Sequence, residues 1–217
     1  MERHIAIPQS ASLPAPFTQG GLIIGITGGT GCGKTTLLKE IENCGGLVLD
    51  CDAIYHRLLT TDRDLLAAIE DRFPGTVENG VLQRKKLGSI VFSDEQALLD
   101  LNRITHGAVK AEVLRQLESG PALAAIDAIA LFEGGLAELC HVTVAVTAPK
   151  AVRVARLMAR DGISEEYARS RIEAQHEDRW FRERCHHILE NDGSKEAFQA
   201  KCLAFLHNIG IMIGEDR

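Results

Sequence analysis

The sequence predicts an α/β fold of three layers, with a mostly parallel central sheet, a helical insertion and a helical lid. Three observations carry that expectation. First, an apolar, β-branched run, Leu22-Ile23-Ile24-Gly25-Ile26-Thr27, leads straight into Gly28-Gly29-Thr30-Gly31-Cys32-Gly33-Lys34-Thr35. This octet satisfies G-x-x-x-x-G-K-[ST] between a strand and a helix-like stretch at 36–43. Second, short buried-strand candidates recur at 47–49, 122–126 and 141–147, separated by helical patterns. Third, residues 60–120 read as helix with no strong strand signal, so they insert between sheet strands.

The octet explains its own residue types. A backbone that cradles a triphosphate must turn tightly and aim N–H groups inward. Glycine permits both the turn and the close approach. The start of the next helix adds unpaired donors and the positive end of its dipole. Gly28, Gly29, Gly31, Cys32, Gly33, Lys34, Thr35 and Thr36 are the expected nucleotide contacts. Lys34 reaches the β- and γ-phosphates, and the Thr35 hydroxyl ligates Mg²⁺. The motif says that a nucleoside triphosphate binds; it does not say what is done with it.

The chain has 217 residues, enough for one α/β unit with appended subdomains. A formal charge of −6 argues against a general binder of nucleic acid or anionic membranes. Cys32, Cys44, Cys51, Cys140, Cys185 and Cys202 are scattered without a C-x-x-C, which disfavours a zinc ribbon or redox pair. Reduced cytosolic thiols are expected. Residues 1–20, with three prolines, read as a loose extension, and no apolar run has membrane-spanning length. Oligomeric state is left open.

In chain order, Gly45-Gly46 stops the first helix. The strand at 47–49 ends in Asp50-Cys51-Asp52, and acids at the carboxyl end of a parallel strand lie near the phosphate loop. Asp52 is the expected N-cap of a helix at 53–59. At least one of Asp50 and Asp52 is expected to do chemistry. Thr61 or Asp62 caps the next helix, Phe73-Pro74-Gly75 breaks it, and 78–82 reads as a turn or brief hairpin. A short helix fills 84–91. Ser93 with Gln96 is a capping-box signature. It opens a long helix with an apolar stripe of Leu98, Leu101, Ile104, Ala108, Val113 and Leu117, ended by Gly120-Pro121. The strand at 122–126 ends in Asp127, the shape of an acid that holds Mg²⁺ through a water. After the strand at 141–147, residues 150–184 carry nine Lys or Arg and seven Asp or Glu. Arg153, Arg156 and Arg160 share one helix face there. A solvated helix pair and a phosphate-closing lid both fit this segment, and the phosphate loop favours the lid. A strand at 186–190, the turn Asn191-Asp192-Gly193-Ser194 and a helix at 195–207 complete the chain, with a fraying tail at 211–217.

No N-K-x-D guanine motif occurs, and the chain lacks the bulk of a remodelling ATPase. The pattern fits a small-molecule kinase, which positions two substrates in line and stabilises charge on the transferring group. A related kinase of another nucleotide and an ATP-binding regulator are the alternatives.

Four ordered signatures sharpen this. They are the loop with Gly45-Gly46-Leu47-Val48-Leu49-Asp50-Cys51-Asp52, the run from Arg84 to Asp94 with Leu101-Asn102-Arg103-Ile104-Thr105-His106, Asp127 with Leu131-Phe132-Glu133-Gly134-Gly135, and Arg160-Asp161-Gly162 with Arg171-Ile172-Glu173-Ala174-Gln175. In these the sequence resembles the dephospho-coenzyme A kinase family. The resemblance implies a three-layer P-loop kinase fold. It also implies ATP- and Mg²⁺-dependent phosphorylation of the ribose 3′-hydroxyl of dephospho-coenzyme A, a small-molecule substrate, in the cytoplasm. It makes 21–59, 121–149 and 185–217 the nucleotide core, 60–120 the acceptor domain and 150–184 the lid. It implies Asp52 as base, Arg84 and His106 as acceptor contacts, Arg160 near the phosphates, and Asn191 and Gly193 beside the ATP adenine. The sequence departs from the family pattern in three places: Gly107 and Ile129, at both of which proline is usual, and Trp180-Phe181 where charged residues are frequent.

Overall fold

A computed structural model describes residues 21–211. The N-terminal extension and the tail beyond residue 211 lie outside the described residues. The chain runs β1 (Leu22–Thr27), α1 (Lys34–Asn43), β2 (Leu47–Asp50), α2 (Cys51–Thr61) and α3 (Arg63–Arg72). A hairpin of β3 (Val77–Glu78) and β4 (Val81–Leu82) precedes α4 (Arg84–Val91) and α5 (Glu95–Leu117). Then come β5 (Leu123–Asp127), β6 (Val142–Thr147), α6 (Lys150–Asp161), α7 (Glu165–Glu173), α8 (Asp178–Arg182), β7 (His187–Glu190) and α9 (Lys195–Asn208).

The main sheet has the order β2-β5-β1-β6-β7, and every pairing in it is parallel. The inner strands β5, β1 and β6 bury both faces, as parallel strands do, while the edge strands β2 and β7 are partly open. On β1, Ile23 packs with Leu49 and Ile126 against α2, α3 and α5, while Ile24 and Ile26 pack with Val144 and Val146 against α1 and α9. The alternation sends successive side chains of one strand into two cores, which makes the fold three layers. After β1 the chain moves to one edge of the sheet, and after β6 it moves to the other. The crevice at this switch point, beyond the carboxyl ends of β1 and β6, is where such sheets bind ligands. Among the described residues no helix is long and apolar enough to cross a membrane.

Three local expectations are corrected. Helix α2 begins at Cys51, and its cap is Asp50, not Asp52: Asp50 Oδ1 accepts from Ala53 N at 2.9 Å. Helix α5 is capped by Asp94, which accepts from the N–H groups of Gln96 and Ala97, rather than by Ser93. Ser93 instead donates its hydroxyl to the carbonyls of Ser89 and Ile90, closing α4. The buried stripe of α5 is Ala97, Leu101, Thr105, Val109, Val113 and Leu117, and Leu98 faces outward. Thr105 can sit in that stripe because its hydroxyl donates to Leu101 O at 2.9 Å, so no polar atom is left unpaired.

The caps give a direct test. Asp94→Ala should cost about 1 kcal/mol, the usual worth of an N-cap side chain, and Ser93→Ala clearly less. Urea unfolding midpoints of the two variants check the order; equal losses would contradict the assignment.

Candidate active site

The phosphate loop is shaped from behind. For the N–H groups of residues 28–35 to face a ligand, their carbonyls must find partners on the other side. Helix α6 and the residue after β7 supply them. Arg153, buried, donates its Nε to Thr30 O at 2.9 Å. Arg156 donates its Nη1 to the carbonyls of Gly31 and Cys32, each at 3.3 Å. Asn191 Nδ2 donates to Cys32 O at 2.8 Å, and Asn191 Oδ1 accepts from Arg156 Nη2 at 3.1 Å. One loop N–H is also fixed: Thr30 N donates to Gln175 Oε1 at 2.8 Å, and the same oxygen accepts from Arg153 Nη2 at 3.0 Å.

The glycines follow from this crowding. Gly28 stands at φ 129, and a Cβ there would lie 2.2 Å from Val146 O on β6. Gly33 stands at φ 95 as the residue before α1, and its Cβ would lie 2.3 Å from Asn191 Nδ2. Both positions exclude an L side chain on backbone and on space. Lys34 opens α1 and donates its ammonium to Gly28 O at 3.0 Å, which folds its side chain back over the loop.

In front of the loop lies a cleft of about 690 Å³. Lys34, Arg156, Arg160 and Arg171 line it together with Asp50, Asp52 and Asp127. Arg160 grips Asp161 with Nε at 2.6 Å and Nη2 at 3.0 Å, and Arg171 Nη1 reaches the same carboxylate at 2.7 Å. These hydrogen bonds, with Arg160 first and Arg171 second, bring Asp161 down to about 2. Asp161 is the fixed post that holds both guanidinium groups at the cleft, each with donors to spare.

The acids stand at the ends of β2 and β5. Asp50 and Asp127 are register partners on adjacent strands. Asp50 is committed to capping α2. Asp52, in the first turn of α2, is exposed, and among the described residues nothing donates to its carboxylate. Asp127 is different: its Oδ1 is sealed from solvent with no hydrogen-bond partner. Burial pushes its carboxyl up to about 6, against the pull of Lys34. Among the described residues no group of three or more His, Cys, Asp and Glu could hold a metal by itself. Mg²⁺ does not ask for one, since it keeps several waters and commonly takes one or two carboxylates plus substrate phosphates. The orphaned oxygen of Asp127 and the hydroxyl of exposed Thr35 fit that demand.

A second pocket of about 260 Å³ lies between α2, α5 and the loop after β5. Tyr55, Leu101, Asn102, His106, Val109 and Leu136 are among its walls. It shares two lining residues with the cleft, Asp52 and Ile129.

The structure brings Gly29, Gly31, Gly33, Lys34, Thr35, Asp52, Asp127 and Arg160 to the cleft and His106 to the second pocket. Gly28, Cys32, Thr36 and Gly193 do not line either cavity. Arg84 stands outside the lining, near Tyr55, where its charge opposes the burial that raises the tyrosine. Asn191 lies behind the loop with both amide ends occupied. Sequence reasoning placed Arg153 and Arg156 on a lid face turned to the ligand; Arg153 instead faces the back of the loop, while Arg156 both holds loop carbonyls and lines the cleft. It missed Gln175 as a loop ligand, whose only signal was the motif it closes.

With this geometry in place, comparison with known proteins decides the lineage. A sequence model described as "Dephospho-CoA kinase" matches residues 22–197. The chain belongs to the dephospho-CoA kinase family. It is 34% identical over 183 residues to the dephospho-CoA kinase of Corynebacterium diphtheriae, covering 82% of this chain and 92% of that protein. A crystal structure from Thermus thermophilus superposes with a TM-score of 0.73 at 34% identity, covering 88% of this chain and 98% of that one. The dephospho-CoA kinase of Campylobacter jejuni follows at TM-score 0.61 and 25% identity, covering 86% and 96%.

The buried carboxyl makes a pH prediction with a definite sign. Folded Asp127 takes up its proton as pH falls through about 6, whereas in the unfolded chain it does so near the ordinary aspartate value of 3.8. Folding therefore binds a proton between those values, and stability falls as pH rises through that window. Asp127→Asn should make the nucleotide-free protein more stable at neutral pH, by ~1–3 kcal/mol, with the gain vanishing below about pH 4. Urea titrations at the two pH values check it; a destabilised variant at neutral pH would contradict the burial reading.

Proposed function

We propose that the two cavities are the donor and acceptor halves of one phosphotransfer site. A dephospho-CoA kinase moves a phosphoryl group onto a hydroxyl acceptor, the last step of coenzyme A biosynthesis, and this chain belongs to that family. The observation that carries the assignment of halves is the meeting of a charged cleft and a mostly apolar pocket at Asp52.

In this reading ATP lays its phosphates along the loop, with Lys34 on the outer phosphates and its adenine toward the turn at Asn191 and Gly193. Dephospho-coenzyme A puts its adenosine into the second pocket, beside His106, with the ribose 3′-hydroxyl turned to Asp52. Arg84, on the outer side of Tyr55, suits the acceptor's diphosphate. Asp52 has a free carboxylate, so it can accept a hydrogen bond from the hydroxyl and take its proton as the new O–P bond forms. Asp50 already commits Oδ1 to its helix cap and has only Oδ2 to offer, whereas, among the described residues, both oxygens of Asp52 are free. Arg160 and Arg171 turn spare donors toward the transferring group, where developing charge rewards fixed dipoles. Mg²⁺, when bound, neutralises phosphate charge; Thr35 would hold it directly and Asp127 through water. Residues 60–120 form the acceptor domain and 150–184 the lid. A cytoplasmic setting suits six cysteines that are all free.

The test is substrate-dependent ADP release by the full chain with Mg·ATP. Dephospho-coenzyme A should support turnover, and adenosine or nucleoside monophosphates should support little. Tight ATP binding without acceptor-stimulated turnover would overturn the reading in favour of a regulator. Lys34→Ala should lose ~2–4 kcal/mol of transition-state stabilisation, the scale of one charge-assisted donor. Asp52→Asn should lower kcat far more than it weakens ATP binding. If Asp50→Asn proves the slower enzyme at equal folded stability, the base is the other acid.

A further inference from the structure

We propose that Ile129 is a specificity-determining residue: its side chain is the wall that makes the acceptor hydroxyl, rather than water, take the phosphoryl group. The inference rests on the donor and acceptor assignment above.

Among the described residues, Asp52 and Ile129 alone line both the phosphate cleft and the acceptor pocket. One is the free carboxylate. The other is an apolar side chain at 37% exposure in a cleft otherwise lined mostly by glycine backbone, lysine, arginine and aspartate. Apolar surface held open in such a place costs free energy in the empty protein and returns it only when something covers it. The position is also fixed. Ala128 N donates to Ile26 O at 3.0 Å, and the Thr27 hydroxyl donates to Ile129 O at 3.2 Å, so the backbone is pinned to the end of β1. A β-branched side chain on a pinned backbone has little rotamer freedom, which makes it a wall and not a flap.

The chemistry supplies the need. In the productive step the acceptor oxygen attacks the γ-phosphorus, the bond from that phosphorus to the β–γ bridging oxygen breaks, ADP leaves, and the hydroxyl proton passes to Asp52. Water in the same place would form a P–O bond equally well and give ADP, inorganic phosphate and a proton. Asp52 would serve either nucleophile. An apolar face beside Asp52 offers water no hydrogen bond, while the ribose of a seated acceptor can cover it. Removing that face should leave a hydrated gap next to the base.

The experiment measures ADP and phosphorylated acceptor together, in the full chain with Mg·ATP, with and without dephospho-coenzyme A. The parent should form one ADP per phosphorylated acceptor and little ADP alone. Ile129→Ser should raise acceptor-independent ADP release at least fivefold and lift the ratio of ADP to product well above one. Ile129→Leu, which keeps an apolar face, should hold the ratio near one. A residue that merely supports folding would lower both fluxes together and leave the ratio unchanged; that result with Ile129→Ser overturns the proposal. If Ile129→Ser does not fold, Ile129→Ala carries the same expectation and the same refutation. A parent that forms no product from dephospho-coenzyme A refutes the functional reading itself, whereas a coupled parent with coupled variants refutes only the role of Ile129.

Discussion

The carbonyls of Thr30, Gly31 and Cys32 are each bound by a side chain from the far end of the chain, and the shape of the loop of residues 28–35 depends on their being held there. Arg153, Arg156 and Asn191 hold them. Each such bond is charge-assisted or buried, so it is among the stronger kinds available to a backbone carbonyl. With these carbonyls fixed, the loop's shape is set within the protein itself. On α6, Arg153 thereby serves the loop's geometry alone, Arg156 both holds loop carbonyls and lines the cleft, and Lys34, Arg160 and Arg171 complete the cleft's positive lining. The division is by depth along one helix: Arg153 is buried and Arg160 is exposed.

The acids divide by the same rule. All three lie at or just beyond the carboxyl ends of neighbouring strands, but one caps a helix, one is free and one has a sealed oxygen. Desolvation makes Asp127 a costly group for the empty protein, raised to about 6, and a cation with its waters offers it relief. The site thus stores an unsatisfied oxygen where a ligand will satisfy it, in keeping with buried polar exceptions clustering where function lies.

Much of this was legible in the residues. The phosphate loop, the parallel strands, the helical insertion and the family's ordered signatures could all be read, because glycine spacing and apolar periodicity are local properties. The boundaries of α4 were read at Arg84 and Val91 for the same reason. The misreadings share one cause. Capping depends on which of several adjacent acids or hydroxyls meets the helix axis, and Asp50 and Asp94 won over Asp52 and Ser93 by one or two positions. The apolar stripe of α5 omits Thr105, because the internal hydrogen bond that lets it be buried is invisible in sequence. The roles of Arg153, Arg156 and Gln175 depend on contacts spanning 123, 125 and 145 residues, which no window along the chain contains.

Those spans bear on how the protein comes into being. The loop of residues 28–35 is the most recognisable stretch of the chain, yet its shape is borrowed from α6 and from the strand beyond it. A growing chain emerging from the ribosome carries the motif early and its supports last. The loop's supported shape is therefore a late property, gained when the final third docks.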